Sequence, residues 1–86
     1  MKILFYKNAW EEYLFFQQNN KDIFNRINLI IKDIAKSPFN GIGKLEPLKH
    51  SLSGFWARRI NQEHRLVYTI ENNIIHILQC RYHYKK

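Results

Sequence analysis

The stretch "RLVYTIENNIIHILQCRYH" (65–83) decides the fold. In its first half Arg65, Val67 and Thr69 alternate with Leu66, Tyr68 and Ile70, the two-residue period of a half-buried strand. "ENN" (71–73) supplies a tight hairpin turn, because Asn accepts the backbone angles that such turns need. "NIIHILQCRYH" (73–83) then predicts a longer antiparallel partner, with Tyr82 alternating against His83 and packing inward. Upstream, "FWARRI" (55–60) adds a third strand with mixed faces. Arg58 and Arg59 point to opposite sides of it, as do Phe55 and Trp56, so one aromatic is expected in the core.

Further back, "SPFNGIGK" (37–44) is a connector: Ser37 precedes Pro38, and G-x-G-K lacks the spacing of a phosphate-binding loop. Before it, Ile23, Phe24, Ile27, Ile30, Ile31 and Ile34 form one apolar stripe, which predicts a helix over 21–36. Lys21, Asp22, Arg26, Lys32, Asp33 and Lys36 are expected on its opposite face. A second helix is predicted over 9–19, capped by Asn8, with Glu11 and Glu12 in its first turn and Trp10, Tyr13 and Leu14 on one face. "KILFYK" (2–7) reads as a first strand. The order of strand, two helices and meander predicts an α+β domain over 1–86: two helices on one face of a small, mostly antiparallel sheet. The other face carries much of the charge.

The formal net charge is +7, and residues 44–86 hold eight basic against three acidic side chains, a net +5. Such a field draws polyanions, nucleic acid first among them. Cys80 is the one cysteine, which leaves no disulfide framework and fits a reducing cytoplasm. His50, His64 and His76 lack metal-site spacing, so no metal and no cofactor are expected. No run approaches the length of a membrane span, and the N-terminus lacks the features of a signal segment.

Glu46, Lys49, Arg65, His83 and Tyr84 have the chemistry to cut RNA without a metal. The 2′-hydroxyl needs a base, the departing 5′-oxygen an acid, and the phosphorane-like transition state fixed cations. Tyrosine can stack on a splayed base. Each group has a plainer reading: Glu46 as a solvated loop carboxylate, Arg65 as a partner of Glu63, His83 as an ordinary terminal histidine. The residues alone end at a basic α+β domain facing RNA.

"EPLKHSLSGFWARRINQEHRLVY" (46–68) and "CRYHY" (80–84), together with "WEEYLFF" (10–16) and "KDIAKSPFNGIGKLEPLKH" (32–50), resemble the YoeB toxins, a branch of the RelE superfamily of bacterial toxin–antitoxin systems. The resemblance spans nearly the whole chain. It implies a microbial-ribonuclease-like fold and a metal-independent endoribonuclease that cuts mRNA in the A site of the 70S ribosome. It also implies a cytoplasmic homodimer, an acidic cognate antitoxin, and promoter DNA bound only together with that antitoxin. By motif, Glu46 corresponds to the general base, Lys49 to a phosphate contact, and Arg65 to the cation that stabilises the transition state. Glu63 corresponds to a group orienting Arg65, His83 to the general acid, Tyr84 to the nucleotide-positioning ring and Arg59 to an RNA contact. Lys85 and Lys86 extend past the family's usual end and are expected either to add phosphate or ribosomal RNA contacts or to loosen Tyr84. The rival from another class is a non-catalytic module that blocks translation by occupying the ribosome.

Overall fold

The hairpin predicted from 65–83 organises the sheet. In the computed structural model, which describes residues 1–84, Asn72 and Asn73 take φ of 53° and 59°, the left-handed pair of a two-residue hairpin loop. They join β4 (Arg65–Glu71) to β5 (Ile74–Gln79). Outward from β4 lie β3 (Trp56–Arg59) and the two-residue edge strand β2 (Glu46–Pro47), all antiparallel. On the other edge β1 (Lys2–Phe5) pairs parallel to β5, giving the order β1-β5-β4-β3-β2.

Two helices, α1 (Lys7–Asn19) and α2 (Lys21–Lys36), connect β1 to the rest. Asn20 caps α2 by accepting from Ile23 N–H at 3.2 Å. Ile27, Ile30, Ile31 and Ile34 of α2 and Ala9 and Phe16 of α1 are buried against Leu66, Tyr68, Ile75 and Ile77 of the sheet. A smaller cluster of Leu48, Ala57 and Val67 lies apart, with Leu52, Phe55, Leu78 and Tyr84 packed on it. Trp56 joins the main core and Phe55 the small one, so both aromatics are used, one on each side of the sheet.

Several local expectations are corrected. α1 begins at Lys7, so Asn8 lies inside it and its Nδ2 donates to Leu78 O at 3.0 Å rather than capping. That early start places Glu11 and Glu12 beyond the first turn. Glu12 instead accepts Cys80 N–H at 2.9 Å, and burial raises its carboxyl above the ordinary value. β5 stops at Gln79 because the next backbone donors turn to side chains: Cys80 N–H to Glu12, and Tyr82 N–H to His64 Nδ1 at 2.8 Å. Tyr82 therefore does not pack inward as a strand residue. It takes φ 65° and is 56% exposed.

Asp33 is half-buried rather than freely solvated. It meets Arg58, which is fully buried and uses all its donors. Nη1 reaches Asp33 Oδ2 at 2.5 Å and Ile42 O at 3.1 Å; Nη2 reaches Ser37 O at 2.8 Å and Asn40 O at 2.7 Å; Nε reaches Tyr68 Oη at 3.2 Å. Tyr68 Oη donates onward to Pro38 O at 2.6 Å. Gly41, at φ 117°, runs so close to the Asp33 carboxylate that no side chain fits there. The connector 37–43 is thus pinned to the sheet just before Glu46. Among the described residues, no helix is long and apolar enough to cross a membrane.

Candidate active site

Antiparallel partners share a face of the sheet. Glu46 pairs with Ala57, Ala57 with Val67, and Arg59 with Arg65. Glu46, Arg59 and Arg65 therefore project from one face, opposite the helices. Arg58 and Trp56, the intervening residues of β3, point into the main core beside Leu66 and Tyr68. Pro47 is tolerated because β2 is an edge strand.

The tail reaches this face after leaving β5. Gln79 Nε2 donates to the carbonyls of Arg81, Tyr82 and His83 at 2.9, 3.2 and 3.3 Å. Arg65 N–H donates to Tyr82 O at 3.0 Å. Tyr84 then rests on the small apolar cluster, and its hydroxyl donates to Glu46 Oε1 at 2.5 Å. A contact this short is typical of a hydroxyl donating to an ionised carboxylate. It holds the Tyr84 phenol above its ordinary value, while the nearby Arg65 charge pulls the other way.

On the far side, His83 Nε2 lies 3.1 Å from Gln62 O. Arg65 Nη1 donates to Asn61 O at 2.7 Å and His64 O at 3.0 Å, and approaches the same Gln62 O at 3.4 Å. The imidazole and the guanidinium are therefore anchored to one short loop, while Tyr84 ties the tail to Glu46. Two contacts result, Tyr84 with Glu46 and His83 beside Arg65 at Gln62 O, joined through the adjacent tail residues 83 and 84.

The remaining expected residues are placed as follows. Lys49 is exposed and lines a cavity of about 130 Å³ with Glu46, Leu48, His50 and Tyr84. Arg59 stands directly opposite Arg65, and its Nε is buried without a hydrogen-bond partner among the described residues. Glu63 forms no ion pair with Arg65 among the described residues; the Arg65 guanidinium is held by carbonyls instead. Lys85 and Lys86 lie outside the described residues. Among the described residues, no group of three His, Cys, Asp or Glu side chains gathers as a metal site.

Sequence reasoning missed His50, Gln79 and His64. His50 follows Lys49 in the cavity wall and adopts φ 57°, a conformation no sequence pattern announces. Gln79 and His64 act on backbone atoms of the tail, and their partners became identifiable only once β5 was seen to end early.

Known proteins carry the same arrangement of elements. A family described as "YoeB-like toxin of bacterial type II toxin-antitoxin system" matches residues 5–84. A toxin YoeB from Synechocystis is 59% identical over the full length of both chains. A solved YoeB/ParE toxin from Agrobacterium tumefaciens superposes with a TM-score of 0.95 at 38% identity, over 98% of this chain and all of that one. The Staphylococcus aureus YoeB, solved as a YoeB–YefM complex, superposes at 0.91 with 49% identity over 98% of each chain; it has also been solved as a dimer. A match that covers almost every residue and both edges of the sheet leaves one assignment: the chain belongs to the YoeB-like toxin family of bacterial type II toxin–antitoxin systems.

Proposed function

We propose that the protein is a metal-independent endoribonuclease that cuts mRNA in the A site of the 70S ribosome and so stops translation. The observation that supports this reading is a pair of contacts: the Tyr84 hydroxyl on Glu46, and His83 and Arg65 at one carbonyl, Gln62 O. Glu46 takes the proton of the 2′-hydroxyl, and the 2′-oxygen attacks the adjacent phosphorus. The bond from phosphorus to the 5′-oxygen breaks, and His83 donates a proton to that oxygen. The products are a 2′,3′-cyclic phosphate and a 5′-hydroxyl.

Arg65 supplies the fixed cation for the charge that grows on the phosphorane, with Lys49 on the cavity side. Arg59 and Arg65 are cross-strand partners, and like charges at such positions repel. A bound phosphate between them removes that repulsion, which supports Arg59 as an RNA contact. Glu63 acts on this loop through charge rather than as a direct partner of Arg65. Tyr84 occupies Oε1 of Glu46, so substrate either uses the other carboxylate oxygen or displaces the phenol, which then stacks on a base. Lys85 and Lys86, outside the described residues, add positive charge for phosphate or ribosomal RNA contacts.

The basic surface fits an acidic antitoxin; a relative solved in complex with YefM supports an antitoxin partner, and the solved YoeB dimer supports a homodimer here. Promoter DNA is bound only with the antitoxin. The protein works in the cytoplasm as one domain over 1–86. The test is mRNA cleavage on programmed ribosomes by the purified wild type and by Glu46→Ala and His83→Ala. Loss of cutting with ribosome binding retained supports the enzyme. Arrest of translation by a wild type that cuts nothing establishes blocking by occupancy instead.

A further inference from the structure

The tail that carries His83 and Tyr84 follows a path that the sheet does not dictate, because β5 has already ended at Gln79. Residue 82 is gripped at both ends. Its N–H donates to His64 Nδ1 at 2.8 Å, and its carbonyl accepts from Arg65 N–H at 3.0 Å. Between these bonds Tyr82 holds φ 65°, a region a tyrosine rarely adopts and keeps only under external constraint. The next residue is His83, whose ring meets Gln62 O.

His64 is built for this role. It is 6% exposed, and its ring packs edge-on against Phe16 of α1, with centroids 5.1 Å apart. A backbone N–H donating to Nδ1 requires that nitrogen to be unprotonated, so the ring proton sits on Nε2. Burial pushes the imidazole below its ordinary value; Arg81, His83 and Arg65 add to this, and Glu63 opposes it.

We propose that His64 is the positioning residue of the active face: its Nδ1 fixes the Tyr82 backbone and so sets His83 and Tyr84 against Arg65 and Glu46. This rests on the ribonuclease reading above. His64 touches no reacting atom and acts through the main chain. An asparagine at position 64 places its side-chain oxygen where Nδ1 was, and so keeps the acceptor while losing the ring. A phenylalanine keeps the ring against Phe16 and loses the acceptor.

Three measurements test it. In the wild type, a nitrogen–nitrogen scalar coupling across the Tyr82 N–H to His64 Nδ1 bond is expected, and its absence overturns the proposal. On programmed ribosomes, His64→Phe is expected to lose about 100-fold in kcat with KM little changed, the scale of a misplaced catalytic group. His64→Asn is expected to stay within about threefold of wild type. Equal losses in the two variants, or full activity in a folded His64→Phe, overturn it. Amide relaxation of His83 and Tyr84 reads the same geometry without activity: ordered in wild type and His64→Asn, loosened in His64→Phe. A wild type that cuts no RNA ends the ribonuclease reading, while the coupling and relaxation still decide the role of His64.

Discussion

Replacing Arg58 by methionine tests how the connector before Glu46 is held. The guanidinium is fully buried and satisfies three carbonyls, the Asp33 carboxylate and the Tyr68 hydroxyl. Methionine fills similar space but leaves Asp33 without its cation and the Ser37, Asn40 and Ile42 carbonyls without that donor. Asp33 is partly exposed and stays solvated, so the cost falls below the about 3–5 kcal/mol of breaking a fully buried ion pair and comes mainly from carbonyls left without a donor, at least about 1–3 kcal/mol. Total stability for 86 residues is about 4–13 kcal/mol, so the loss is a large part of the whole. Urea unfolding followed by tryptophan fluorescence and circular dichroism measures it, with an unchanged slope expected. The pH dependence has a definite sign. The Arg58 hydrogen bond holds the Asp33 carboxyl below its ordinary value of 3.8. Its contribution is therefore complete above that value and lost as pH falls through the lower folded value. The stability gap between wild type and Arg58→Met should narrow below about pH 4. A gap under about 1 kcal/mol at neutral pH, or one that widens in acid, refutes the reasoning.

Burial pushes the Cys80 thiol up to about 12. It should resist alkylation at pH 8 in the native protein and react promptly in denaturant; fast native labelling contradicts its placement beneath α1. In alkaline titration followed by phenolate absorbance, Glu46→Gln should bring the Tyr84 transition down towards 10, because the hydrogen bond to a carboxylate is what raises it. An unmoved transition contradicts the Tyr84–Glu46 pair.

What was legible in the chain was local. The isoleucine stripe of α2 and the Asn-Asn turn of the β4–β5 hairpin obey periodicities that neighbouring residues set by themselves. Both elements formed as read. The parallel pairing of β1 with β5 joins the two ends of the chain, and nothing in "KILFYK" specifies its partner. Nothing in the sequence set Arg58 apart from its half-buried neighbour Arg59, because the carboxylate that makes full burial tolerable lies 25 residues upstream in a helix. The tail was misread as strand for a related reason. Alternation in "QCRYH" is sound strand pattern, but Glu12 and His64 capture its N–H groups from elsewhere in the fold. Glu46, Arg65 and His83 were singled out from the chemistry of RNA cleavage and the family resemblance; in the fold Arg65 and His83 share Gln62 O, and Glu46 meets Tyr84. Their supports, Gln79 and His64, were not singled out, since they bind main-chain atoms that a sequence does not display.

The central claim is that the RNA's own 2′-oxygen is the nucleophile on this face. The most direct measurement is cleavage of a ribosome-bound mRNA carrying a single 2′-deoxynucleotide immediately 5′ to the scissile phosphate. The account predicts no cut at that link, with ribosome binding unchanged and the all-ribose message cut by wild type. Cutting of the deoxy-substituted link at the wild-type rate contradicts it.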